Sequence, residues 1–136
     1  MTINEVQDRI IVEMAACGEW FDKYEYLIDQ GRKLDALEDR FRTEENLIPG
    51  CQSRVWLHAE GIYGKIRFSA DSDTLITKGM IALLLRVLND RPAEEICSAD
   101  LYFIRETGLS TNLSPSRANG LASIVLQMKR QAESGS

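Results

Sequence analysis

The sequence predicts an α+β fold, with a small antiparallel sheet in mid-chain packed by helices from both ends. Three observations carry this. Apolar residues recur at helical spacing before Gly31 and again after Asp71. Between Arg54 and Phe68 they alternate with polar ones. Pro-Gly and Asp-rich stretches separate the two regimes. The chain has 136 residues, which suits one domain of ordinary size. Hydrophobic residues make up 44 % of it, enough for a packed interior.

The first helix is expected to start at Thr2, because Thr2 and Glu5 have capping-box spacing. Val6, Ile10, Ile11 and Met14 form its apolar face, and Gly18 is placed to close it. A second helix is expected over about Glu19–Gln30, with Trp20, Tyr24, Leu27 and Ile28 as its buried stripe and Gly31 as its C-cap. Leu34–Pro49 reads as a short helical turn and a loop. Pro49 and Gly50 forbid a continued helix there. Val55, Leu57 and Ala59 then alternate with Arg54, Trp56 and His58. A turn at Glu60-Gly61 leads into a second strand carrying Ile62, Ile66 and Phe68. Because an isolated hairpin is only marginally stable, helices or another strand must cover its apolar face. Asp71, Ser72 and Asp73 offer N-caps for a long helix. Its wide apolar stripe (Leu75, Ile76, Met80, Leu83, Leu84, Val87, Leu88) marks it as the most buried one. Asn89–Pro92 breaks it. Short helices follow over Pro92–Cys97 and Leu101–Glu106. The last helix opens with Ser114 as N-cap and Pro115 in the first turn, and runs to about Ala132.

Composition limits the function. The net charge is −5 and the pI about 4.9, which argues against a general nucleic-acid binder. No apolar run approaches the ~20 residues of a membrane span. Met1–Gln7 lacks the pattern of a secretory signal, so a cytoplasmic location is expected. Cys17, Cys51 and Cys97 stand 34 and 46 residues apart. This is neither a disulfide framework nor zinc-ligand spacing, and His58 is the sole histidine. No glycine-rich phosphate loop or nucleophile elbow is present.

Cys51 is the best candidate for chemistry. It follows Pro49-Gly50 at the entry to a strand, where Gly50 frees the backbone and leaves room beside the sulfur. The thiolate is the reactive form, and nearby cations favour it. Residue chemistry alone leaves two readings of Cys51 open, since free cysteine is also among the most buried residue types. Cys17 and Cys97, at the ends of helices, read as small packing residues. His58, seven residues along an extended strand, would stand ~23 Å from Cys51, too far for a Cys–His pair. Asp71 and Asp73 read as helix caps. Arg117 opposes the dipole of the last helix, which hints at an anionic partner.

Three runs then resemble a known family, the SufE-like proteins. They are Ile48-Pro49-Gly50-Cys51-Gln52-Ser53-Arg54-Val55-Trp56-Leu57, Ser69 through Gly79, and Leu113-Ser114-Pro115-Ser116-Arg117-Ala118-Asn119-Gly120-Leu121. Trp20, Lys23-Tyr24, Leu27-Ile28 and Gly31 add a weaker match. Together they span about residues 6 to 130, which the resemblance makes the core of a single 1–136 domain. It also implies a fold like that of IscU-type scaffolds, with about three strands. By the same resemblance, Cys51 accepts persulfide sulfur from a cysteine desulfurase (SufS-like or CsdA-like). The protein enhances that enzyme's turnover and passes sulfur to a cluster scaffold such as SufBCD. Gly50, Gln52, Ser53, Asp73 and Arg117 would support the loop or dock the partner. Pyridoxal phosphate would belong to the desulfurase, with no cofactor or metal on this chain, which then acts as a sulfur-transfer partner rather than a stand-alone enzyme. Because a persulfide is labile, Cys51 is expected to turn into an apolar pocket at rest and swing out on docking. The main alternative is an iron–sulfur or metal-binding scaffold, which needs Cys17 and Cys97 to converge on Cys51. A thiol enzyme would need a local base or resolving thiol. A purely structural adaptor would not need Cys51 at all.

Overall fold

The computed structural model describes residues 1–135; Ser136, which falls within the expected 1–136 span, lies outside the described residues. Helix α1 (Ile3–Ala16) begins as expected. The Thr2 hydroxyl accepts from the Glu5 N–H at 3.1 Å, and the Glu5 carboxylate accepts from the Thr2 N–H at 3.0 Å. Helix α2 (Trp20–Arg32) runs through Gly31 rather than ending there. Gly31 is instead a contact residue: a Cβ on it would lie 2.9 Å from the Gly79 nitrogen of helix α3 (Leu75–Leu88), and a Cβ on Gly79 would overlap the Leu27 carbonyl. Two glycines thus let α2 and α3 pack backbone to backbone.

Helix α3 is the centre of the core. Leu83, Leu84, Val87 and Leu88 are fully buried, and Met80 and Ile81 nearly so. Each such side chain contributes about 1.5–3 kcal/mol on burial. Leu75 departs from the expected stripe and is exposed, because it sits in the first turn, beyond the neighbouring helices. Asp71 and Asp73 do not cap α3 either; the N-cap is Thr74. Strand β2 continues to Ser72, so Asp71 lies within the strand and Asp73 one residue before the N-cap. Arg86 of α3 forks onto the Glu13 carboxylate at 2.9 and 3.0 Å and also donates to Gln30 at 3.0 Å, tying α1, α2 and α3 together.

Among the described residues, strands β1 (Val55–Ile62) and β2 (Lys65–Ser72) form the whole sheet, antiparallel, with Val55 opposite Ser72 and Ile62 opposite Lys65. The turn falls three residues later than expected, at Tyr63-Gly64 rather than Glu60-Gly61. Tyr63 and Gly64 both adopt left-handed backbone (φ 52° and 80°), the conformation of a tight hairpin turn. Ile62 therefore ends β1 and is exposed, while Gly61 gives room to the end of the last helix: a Cβ there would lie 2.9 Å from the Gly135 carbonyl. The sheet has two strands where about three were expected. Both outer edges are nonetheless paired. On β1, the Ile48 N–H donates to the Val55 carbonyl at 2.9 Å. On β2, the Asn89 side chain exchanges two hydrogen bonds with the Phe68 backbone, and the Asp90 N–H donates to the Ile66 carbonyl. Short segments and one amide side chain replace the third strand and protect the edges.

Helices α4 (Ala93–Ser98), α5 (Phe103–Glu106), α6 (Leu109–Asn112) and α7 (Pro115–Gly135) complete the chain. α6 was not expected; it follows Gly108, whose φ of 81° reverses the chain after α5. α7 packs on α4 and on β1, so the last helix lies beside the strand that Cys51 precedes. The Ser114 hydroxyl accepts from the Arg117 N–H at 3.4 Å, as its capping position anticipates.

The glycine contact between α2 and α3 is a strict size limit. Gly79→Ala should lower stability by roughly 1–3 kcal/mol despite alanine's better helix propensity. Urea unfolding measures this; an unchanged or higher midpoint would show that the two helices can separate at no cost.

Candidate functional site

The loop before β1 is fixed along its length. His58 on the outer face of β1 stacks on Phe41, ring centroids 3.8 Å apart. Arg42 binds the Asp71 carboxylate at 2.6 Å and lies over the Trp56 ring. Burial raises the pKa of Asp71, but the Arg42 and Ser72 hydrogen bonds and the charges of Lys78 and Arg42 outweigh it, holding this carboxyl below its usual range. Leu47 and Ile48 then pair with β1. After this anchored stretch the chain turns at Gly50, which takes φ 86°, and a Cβ there would lie 2.8 Å from the Ser123 hydroxyl of α7. The left-handed φ favours glycine, and a larger residue would also have to displace the Ser123 hydroxyl.

Cys51 comes next. Its thiol is half-buried and lies 3.6 Å from the Gly120 carbonyl of α7, to which it donates. It lines a cleft of about 290 Å³ between the loop, the start of α3 and the start of α7. Gln52, Ser53, Asp73 and Arg117 line the same cleft, so the structure brings these sequence candidates together, with Gly50 directly before Cys51 in the turn. Asp73 secures the far end of the loop: its carboxylate accepts from the Arg54 N–H at 3.0 Å. Arg117 is exposed and has no ion-pair partner among the described residues.

The cleft is not the apolar pocket expected. Met80 and Ile124 form an apolar wall, but Thr74, Thr77 and Ser116 contribute hydroxyls. These residues were missed by the sequence reading. Thr77 is buried on α3, but with Lys78 beside it the spacing alone does not separate it from a solvent-facing threonine. The cause of the mixed lining is position: the cleft opens at the first turns of two helices, where polar residues concentrate. Burial raises the Cys51 pKa, because desolvation disfavours the thiolate. At rest the sulfur is therefore held largely as the thiol.

The other two cysteines stand elsewhere. Cys17 donates to the Glu13 carbonyl within α1, and Cys97 to the Lys129 carbonyl. Neither lines the Cys51 cleft. Cys97 is exposed, contrary to its reading as a packing residue, because Ile96 takes the inward position on the short helix α4. Among the described residues no three His, Cys, Asp or Glu side chains gather as a metal site. No helix of these residues is long and apolar enough to cross a membrane.

The fold and this site define an α+β protein that presents one half-sheltered loop thiol in a cleft between two helix starts. Residues 8–132 match the family model described as SufE, Fe-S metabolism associated domain, and the chain belongs to the SufE family. It is 38 % identical over 126 residues to the cysteine desulfuration protein SufE of Wigglesworthia glossinidia brevipalpis, covering 90 % of this chain and 86 % of that protein. It is 37 % identical to an uncharacterized SufE-like protein of Rhizobium etli over 131 residues, 93 % of this chain and 88 % of the relative. A solution structure of a hypothetical protein from Thermus thermophilus shares the fold, with a TM-score of 0.78 at 19 % identity over 96 % of this chain and 95 % of the other.

The raised Cys51 pKa has a kinetic consequence. In protein carrying Cys17→Ser and Cys97→Ser, the rate of iodoacetamide alkylation should rise with pH through a midpoint above that of free cysteine. A midpoint at or below free cysteine would contradict the burial argument.

Proposed function

We propose that the protein is the sulfur acceptor and activator of a cysteine desulfurase, of the SufS or CsdA type. Cys51 takes up persulfide sulfur and passes it to an iron–sulfur cluster scaffold such as SufBCD. The observation that carries this reading is the placement of Cys51 in a SufE-family chain: a thiol behind a glycine hinge, on a loop anchored at both ends, facing a cleft with room beyond the sulfur. The chemistry is exchange. The Cys51 thiolate attacks the terminal sulfur of the donor persulfide, the bond from that sulfur to the donor cysteine breaks, and the donor leaves as its thiolate. No net oxidation occurs.

Three features support a resting and a docked state. The Cys51–Gly120 contact and the Asp73–Arg54 hydrogen bond hold the loop closed. Gly50 supplies the freedom to open it. Docking that releases the two contacts would bring the sulfur out of the cleft and remove the burial that disfavours the thiolate. Arg117, exposed beside the cleft with no ion-pair partner among the described residues, suits a carboxylate on the partner surface. Pyridoxal phosphate belongs to the desulfurase in this scheme, and the exchange is placed in the cytoplasm.

Steady-state turnover tests the reading. Alanine release from cysteine by a cognate desulfurase should be stimulated several-fold by the wild-type chain and not at all by Cys51→Ser. Full stimulation by Cys51→Ser would reduce the protein to an adaptor that works by contact alone.

A further inference from the structure

Three hydroxyl groups in the cleft are linked in a row. Thr74 Oγ1 donates to Thr77 Oγ1 at 2.7 Å. That donation occupies a Thr77 lone pair and leaves the Thr77 proton to find another acceptor. Ser53 Oγ lies 3.3 Å away and is the partner within reach. Either hydroxyl of that pair can donate; in the arrangement where Thr77 donates, Ser53 keeps its own proton free, and it lines the same cleft as Cys51. Thr77 is 6 % exposed, so the middle of the chain is shielded from water. Hydrogen bonds linked head to tail strengthen one another, and in a shielded site a donor at the end of such a chain is worth more than an isolated hydroxyl.

We propose that Thr74, Thr77 and Ser53 form a donor chain that holds the terminal sulfur of a Cys51 persulfide in the cleft as the perthiolate. This rests on the reading of Cys51 as a sulfur acceptor and assigns the group that receives the transferred atom. A sulfur–sulfur bond of about 2.05 Å carries the terminal sulfur beyond Cys51 Sγ into the open part of the cleft. There a perthiolate is an acceptor, and the Ser53 hydroxyl is a donor at its service. Met80, one turn along α3 from Thr77, and Ile124 of α7 add apolar surface to the same lining. The two charged side chains of the lining, Asp73 on the approach to α3 and Arg117 on α7, oppose one another in sign. Asp73 is already engaged by the Arg54 N–H. Ser53 and Thr77 thus act as positioning residues for the carried sulfur, and their hydroxyls favour its ionised form.

The test makes the persulfide without a desulfurase. In Cys17→Ser/Cys97→Ser protein, Cys51 is converted to its thiopyridyl mixed disulfide. Sodium hydrosulfide then displaces the thiopyridine, leaving the Cys51 persulfide and adding no oxidant. The pH dependence of its alkylation by iodoacetamide reports the perthiol midpoint. Ser53→Ala and Thr77→Val should each raise that midpoint by about one pH unit, the scale of a hydrogen bond to a charged group. Thr77→Ser, which keeps the hydroxyl, should retain the wild-type midpoint. Coinciding midpoints for wild type, Ser53→Ala and Thr77→Val would overturn the proposal, as would a Thr77→Ser shift equal to that of Thr77→Val. Circular dichroism melts check that each variant folds; if Thr77→Val does not, Ser53→Ala, at a half-buried loop position, decides alone. Because the sulfur is installed chemically, a failure of desulfurase loading would sink the acceptor reading while leaving this measurement intact.

Discussion

A two-stranded sheet buries too little surface to hold itself together, and the rest of this structure depends on α3 covering it. That helix is buried on nearly every side. It meets α2 through Gly31 and Gly79 at backbone distance, and it receives the Arg86–Glu13 pair from the α1 side. The same helix also forms a wall of the Cys51 cleft with Thr74, Thr77 and Met80. Core and site therefore share one rigid element: residues from Met80 onward fix the helix, and its first turns present chemistry.

The second constraint is the loop that delivers Cys51. A loop thiol is useful only if it can be reached and harmful if it is always exposed. Pairing of Leu47 and Ile48 with β1 fixes one end, and Asp73 fixes the other through the Arg54 N–H. Between them only a few residues remain free, with Gly50 at their start. The closed position costs thiolate population, because burial raises the Cys51 pKa. In the proposed exchange, a sulfur that leaves the cleft would also regain the solvation that stabilises its charge, coupling reactivity to opening.

Much of this was legible in the sequence where a local rule acts alone. The capping box of Thr2 and Glu5, the Ser114-Pro115 helix start and the alternation of Val55 and Leu57 are of that kind. Gly31 was misread because a glycine at a helix end and a glycine at a helix crossing look alike until the neighbour is known. The hairpin turn was misplaced because Gly61 competed with Gly64, and only the packing of α7 against Gly61 separates them. A third strand is not needed because Asn89 substitutes a side-chain amide for backbone pairing. For the site, Cys51 stood out by its Pro-Gly context and Arg117 by its place against the helix dipole, whereas a site role for Asp73 came from family resemblance. Thr74, Thr77 and Ser116 join the cleft only through the fold.

The most direct measurement is the intact mass of the protein after incubation with a cognate cysteine desulfurase and cysteine. Wild type should gain one sulfur, about 32 Da, removable by reductant as expected for a persulfide, and Cys51→Ser should gain none. The same gain in Cys51→Ser, or no gain in wild type with an active desulfurase, would contradict the assignment of Cys51 as the sulfur acceptor.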